Sequence, residues 1–170
     1  AEYDRSSHYI QWLTSLPWGN YTSDKLDIVG AAASMEKSHY GMKDPKDRIL
    51  EYLATIKLRM DQGGEKIVRA PAIFLVGLVG TGKTTFAYSL AETMGRKFAR
   101  IPFGGLGSAR DLRGKSRLFA EAEPGAIVKA IRDAGSWNPI ILLDEIDRVG
   151  AEERADIMGV LVELLDPTQN

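Results

Sequence analysis

The chain of 170 residues has no cysteine, which removes disulfides, thiolate zinc sites and cysteine nucleophiles together. That fits a reducing compartment, and the expected location is the cytoplasm, or the mitochondrial matrix in a eukaryote. Histidine is scarce: His8 and His39 are the two present, and neither belongs to an H-E-x-x-H pattern. The serines sit in no G-x-S-x-G elbow, so no local triad or zinc site is written in the sequence. A basic excess is missing too, because 22 Lys and Arg face 23 Asp and Glu, interspersed, for a net charge of -1. Such a balance supplies no field to hold a nucleic-acid backbone, and DNA or RNA is not expected as the main partner. The longest apolar run, around Ile73 to Val79, falls far short of the roughly 20 residues a membrane helix needs. The start, Ala1 to Tyr9, is polar and charged, unlike an export signal. No membrane partner is expected.

What is present reads as helices alternating with short buried strands. A short helix around Tyr9 to Leu13 meets a turn at Pro17-Trp18-Gly19-Asn20. A second helix, capped by Ser23 or Asp24, carries Leu26, Ile28, Val29, Ala32, Ala33 and Met35. A third is expected from an Asp44 cap with Pro45 in its first turn and Ile49, Leu53, Ile56 and Met60 at helical spacing, ended by Gly63-Gly64. After the polar link Glu65-Lys66, the apolar run 72–76, bounded by Pro71 and Gly77, predicts a strand buried on both faces. Thr84 to Met94 predicts a helix closed by Gly95, Phe98 to Ile101 a strand, Gly125 to Ala134 a helix closed by Gly135, and Ile140 to Leu143 another buried strand. Gly104 to Gly107 is expected to be a mobile loop. The fold class is therefore α/β with a parallel sheet and flanking helices. With about three strands before Asn170, the sheet is expected to be incomplete and the chain truncated.

Gly77-Leu78-Val79-Gly80-Thr81-Gly82-Lys83-Thr84 matches G-x-x-x-x-G-K-[ST] between a predicted strand and a predicted helix. Phosphate oxygens need several donors at once, and a loop that curls on its glycines turns successive N–H groups toward one anion at a helix N-terminus. Gly77, Gly80, Thr81, Gly82, Lys83, Thr84 and Thr85 form the candidate nucleotide-binding set. Lys83 would reach the β and γ phosphates of ATP, and the Thr84 hydroxyl would sit on Mg²⁺. The alternative is a plain glycine turn before a helix. The strand Ile140 to Leu143 delivers Asp144 to the carboxyl edge of the sheet as the second metal-side group, with Glu145 as the base that activates water. The alternative there is a solvated strand end.

The two motifs together resemble the AAA+ ATPases, and their surroundings resemble the Lon ATP-dependent proteases. Tyr9-x-x-Trp12-Leu13-x-x-Leu16-Pro17-Trp18 is similar to the segment that precedes the Lon ATPase module. His39-Tyr40-Gly41 with Lys46-x-Arg48-Ile49-Leu50-Glu51-Tyr52-Leu53 looks like its opening helix, which places the boundary between a helical lead-in, 1–36, and the ATPase part, 37–170. Gly95-Arg96-Lys97-Phe98-x-Arg100-Ile101, Gly104-Gly105, Arg113-Gly114, Pro124-Gly125 and Asn138-Pro139 continue the match, as do Leu142 to Asp147 and Leu164-Leu165-Asp166-Pro167-x-Gln169-Asn170.

The resemblance implies that His39 and Tyr40 lie near the adenine and that Phe119, with Ala120, takes the place of the pore loop that grips substrate. It implies unfolded or misfolded proteins as substrates and a homo-oligomeric ring, a hexamer, as the assembly. Two departures stand out: Glu121 and Glu123 follow Phe119 where the family continues with small and apolar residues, and Leu78-Val79 stand where it commonly carries prolines. Carboxylates beside the grip would disfavour acidic stretches of a threaded chain. No serine-lysine protease domain, arginine finger, sensor residue or helical lid is found up to Asn170, so binding with slow turnover and impaired ring assembly is expected of this stretch alone. Two other classes remain open: a remodelling or chaperone AAA+ module without a protease, and a clamp-loader or helicase-like motor on DNA, which would need a basic channel.

Overall fold

A computed structural model describes residues 2–62, 72–78, 80–116, 118–119 and 121–166. The expectations on Gly63-Gly64, Glu65-Lys66, Pro71, Val79, Ala120 and 167–170 lie outside these residues. Two compact units result, one made of 1–22 with 97–170 and the other of 23–96.

The unit 23–96 is helical. α2 (Ile28–Ser38) is capped by Asp27, whose carboxylate accepts from the Gly30 N–H, so the expected Ser23 or Asp24 cap is corrected by three or four residues. Asp24 instead takes a bidentate pair from the Arg96 guanidinium, both contacts at 2.7 Å, and is drawn out of any capping role. α3 (Lys43–Asp61) begins one residue before Asp44, with Met42 at its N-cap and no side-chain cap. The Asp44 carboxylate therefore lies in the first turn, where an acid still favours the helix dipole. α4 (Lys83–Met94) closes on Gly95 at φ +72, as the left-handed cap requires. Met35, Ile49, Leu53, Ile56, Phe86, Ala91 and Met94 are buried in this unit, while Met60, expected on the same stripe, is exposed.

The strand expected over 72–76 is not formed. Ile73, Phe74, Val76 and Leu78 are exposed, and 72–78 has no regular structure. An apolar run becomes a strand only when neighbours complete its backbone ladder, and the unit that carries it has no strand among its described residues.

In the other unit, α1 (Glu2–Ser15) leads through the Gly19 turn to Asn20 and Thr22, which bond to the stretch around Asn138. The Asn138 amide accepts from the Thr22 N–H and donates to its carbonyl, both at 2.9 Å, so a side chain acts as a strand partner. Trp18 stacks on Trp137 with ring centres 4.8 Å apart, and the Arg132 guanidinium lies 3.9 Å from the centre of the Trp12 ring. β1 (Phe98–Pro102) and β2 (Ile140–Asp144) pair in parallel, Phe98 opposite Ile140 and Pro102 opposite Asp144. The fold is thus α/β with an incomplete parallel sheet of two strands among the described residues. β2 is half-buried along its length instead of fully buried, as expected when a strand lacks neighbours on one side.

α6 (Ala126–Ala134) packs on β1 and is closed by Gly135 at φ +66. Two helices had no sequence expectation: α5 (Ala109–Arg113), set by a capping box of Ser108 and Asp111, and α7 (Arg154–Leu165). Of the loop expected at Gly104 to Gly107, a 3₁₀ turn, 103–105, covers the first two residues, and 106–107 have no regular structure ahead of α5. Phe103, Leu112, Ile157 and Leu161 join Ile101 in the core of this unit.

Candidate functional site

The phosphate loop begins as the exposed apolar stretch 72–78 and ends on the first turn of α4. Gly80 and Gly82 stand at φ +83 and +86, the left-handed region that glycine enters without strain. These two residues let the chain turn sharply just ahead of α4. The Thr81 hydroxyl donates to the Leu78 carbonyl at 2.9 Å and the Thr85 hydroxyl to the Gly82 carbonyl at 2.8 Å, holding the curl. Lys83 folds its ammonium back onto the carbonyls of Gly77 and Leu78, at 2.8 and 2.7 Å. Gly82 is the N-cap of α4 and provides no side-chain cap, while Lys83, Thr84 and Thr85 form the first turn, the place where backbone N–H groups meet anions.

A cleft of about 460 Å³ opens on this loop, lined by Gly77, Thr81 and Lys83 on one side and by Met42, Pro45, Phe74 and Val76 among its apolar residues. His39 stands close by: its ring meets Phe86 edge-on at 5.5 Å between centres, and a Cβ added to Gly82 would lie 3.7 Å from His39 Cδ2. Tyr40, paired with His39 in the sequence reading, is fully exposed and turned away from that packing.

Asp144 and Glu145 belong to the other unit. Asp144 ends β2, and its carboxylate accepts from Arg100 Nε at 2.8 Å and from the Glu145 N–H at 3.0 Å. Glu145 adopts φ +58 and ψ 40, a left-handed conformation that disfavours a side chain by about 1–2 kcal/mol. Strain of this kind persists where the surroundings over-determine it and collects at working sites. Arg148 pairs with Glu145 Oε1 at 3.1 Å. The sequence motifs include Arg100 and Lys46 but assign no role to them or to Arg148; Lys46 falls on the Ile49, Leu53, Ile56 stripe at helical spacing, a legible sign of burial.

Phe119 lies 64 % exposed beside exposed Leu118, near the tip of a narrow loop. Gly114 and Pro124 bridge its base in antiparallel fashion, and the Lys115 N–H donates to the Glu123 carbonyl at 2.8 Å. The two acids that depart from the family pattern are paired within this loop and α6. Lys129 meets Glu123 at 2.6 Å, and its hydrogen bond and charge hold that carboxyl below its ordinary value, while Lys115 reaches Glu121 at 3.4 Å. No group of three or more His, Cys, Asp or Glu able to hold a metal occurs among the described residues, and no helix among them is long and apolar enough to cross a membrane.

The model of the ATPase family associated with various cellular activities (AAA) matches residues 73–170, the stretch from the phosphate loop to the end of the chain. The chain belongs to the AAA ATPase family. Membership carries ATP binding with it. This AAA module is also homologous to Lon proteases along its whole length. It is 46% identical over all 170 residues to 20% of the Lon protease of Desulfosudis oleivorans. It is 45% identical over 170 residues to 21% of that of Syntrophus aciditrophicus. Over 168 residues, 95% of this chain, it is 42% identical to 21% of Lon protease 2 of Thermus thermophilus. The module spans about a fifth of the length of the curated relatives it matches.

Proposed function

We propose that this AAA module binds ATP with Mg²⁺ and uses its hydrolysis to unfold and translocate protein substrates within a Lon-like, ATP-dependent protease of the cytoplasm. The observation that carries the reading is left-handed Gly80 and Gly82 ahead of α4, with the Lys83 ammonium folded back onto the Gly77 and Leu78 carbonyls. A triphosphate would replace the two loop carbonyls at the Lys83 ammonium with charged oxygens, a stronger partner for a cation. Gly77, Gly80, Thr81, Gly82, Thr84 and Thr85 complete the cradle, and His39, close to Gly82, belongs to the base side.

The Thr84 hydroxyl and the Asp144 carboxylate are hard oxygen donors of the kind Mg²⁺ takes, and the contact of Asp144 with the Arg100 guanidinium supports a role for this carboxylate beside positive charge. When bound, the ion would neutralise charge that develops on the phosphates. Glu145 is the proposed base: it follows Asp144 at the strand end, and its carboxylate would orient water and accept its proton. Phe119 and Leu118, at the tip of a loop with a closed base, are the proposed grip on a threaded chain. Pairing of Glu121 and Glu123 with lysines supports this reading, because a paired carboxylate repels an acidic segment less than a free one. Residues 1–36 act as a helical lead-in to the ATPase part, 37–170, and a homo-oligomeric ring, a hexamer, is the proposed assembly.

A chimera tests the coupling. This chain replaces the matching stretch of the Desulfosudis oleivorans Lon protease, and ATP-dependent degradation of an unfolded protein is followed. Activity that is abolished by Glu145→Gln supports the reading. A chimera that binds ATP and forms its oligomer yet degrades nothing overturns the translocation role, and one that folds but binds no ATP overturns the nucleotide role.

A further inference from the structure

The His39–Met42 turn joins α2 to α3 through two consecutive residues of positive φ, Gly41 at +73 and Met42 at +53. Glycine tolerates that conformation, but methionine is strained in it and needs support from around it. One residue provides that support at both ends. The Lys46 ammonium donates to the His39 carbonyl at 2.6 Å, where the turn begins, and the Lys46 backbone N–H donates to the Met42 carbonyl at 3.1 Å, where it ends. The same ammonium pairs with Glu36 Oε2 at 2.7 Å. Lys46 is only 5 % exposed, and lysine is almost never buried unless its charge is paired and hydrogen-bonded. A cation at the C-terminal end of α2 also meets the negative end of the helix dipole.

The two residues at the ends of the turn face the phosphate loop. His39 packs against Phe86 and approaches Gly82, and Met42 walls the cleft beside Thr81 and Lys83. We infer that Lys46 is a positioning residue for nucleotide recognition, which clamps the strained turn so that His39 and Met42 stand where the base of a purine nucleotide is received. This rests on the nucleotide reading above. With its ammonium engaged by the His39 carbonyl and Glu36, Lys46 acts through the turn.

The experiment compares two probes in the presence of Mg²⁺: ATP, which has a base, and inorganic tripolyphosphate, which has none. Lys46→Met should weaken ATP binding by about tenfold, the usual loss for a charge-assisted hydrogen bond, and leave tripolyphosphate binding at the parent level. Lys46→Arg, which keeps the cation, should recover ATP affinity to within about threefold of the parent on the same scale. Equal ATP binding by Lys46→Met and parent overturns the inference, and so does a parallel loss of both probes, which marks a structural role. Should Lys46→Met fail to fold by circular dichroism, Lys46→Gln decides on the same two criteria. A parent that binds neither probe refutes the nucleotide reading itself. A parent that binds both with equal affinity refutes only the role given to Lys46.

Discussion

At the scale of single residues, charge is placed by geometry that sequence spacing hides. Glu145 makes this concrete: it follows the strand end in a left-handed backbone conformation, and its carboxylate meets Arg148. In the active chimera, Glu145→Gln should lower ATP turnover by about 10²- to 10⁴-fold, the usual contribution of a general base, while ATP affinity stays at the parent level. Phosphate-release kinetics beside equilibrium binding check this, and turnover within threefold of the parent would remove Glu145 from its role. The phosphate loop was legible beforehand because its chemistry needs contiguous residues: glycines for the curl, a lysine, a hydroxyl. The Arg100 contact to Asp144 was not, because it joins residues 44 positions apart through a pairing of strands that local pattern does not record. Tyr40 illustrates the reverse case, a residue adjacent to His39 in sequence that points elsewhere in space.

At the scale of elements, what local chemistry determines was readable and what needs a neighbour was not. α4 and α6 follow from periodicity and closing glycines, which act within a few residues. α7 has apolar residues on more than one side, with Ile157, Val160 and Leu161 buried but Val162 and Leu165 exposed, so no single stripe announces it. The run 72–76 has the composition of a strand and lacks a ladder, since strand formation depends on a partner. The loop that carries Phe119 depends on close backbone approach at its base. A Cβ added at Gly125 would lie 2.1 Å from the Leu112 carbonyl oxygen and 2.7 Å from the Arg113 carbonyl carbon. Gly125→Ala should therefore destabilise its unit by about 1–3 kcal/mol, as overpacking does, and expose 115–121 to protease. Urea denaturation and limited proteolysis read both effects, and a variant that unfolds and resists protease like the parent would show that the base is not tightly closed.

At the scale of the whole molecule, the module divides into two compact units, with the phosphate loop in one and Asp144 and Glu145 in the other. The unit 23–96 is one continuous stretch, but the other is split, because 1–22 folds with 97–170 through Asn20, Thr22 and Trp18. Family and phosphate chemistry were legible from motifs; this division was not, since it depends on contacts across more than a hundred residues. The claim on which the rest depends is that the module takes up ATP through its curled loop. Calorimetric titration of the chain with ATP and Mg²⁺, alongside Lys83→Ala, tests it most directly. One saturable site is predicted for the parent, weakened on the order of 10- to 100-fold when the charged hydrogen bonds of Lys83 are lost. Absence of binding at millimolar ATP, or equal affinity in Lys83→Ala, would contradict it.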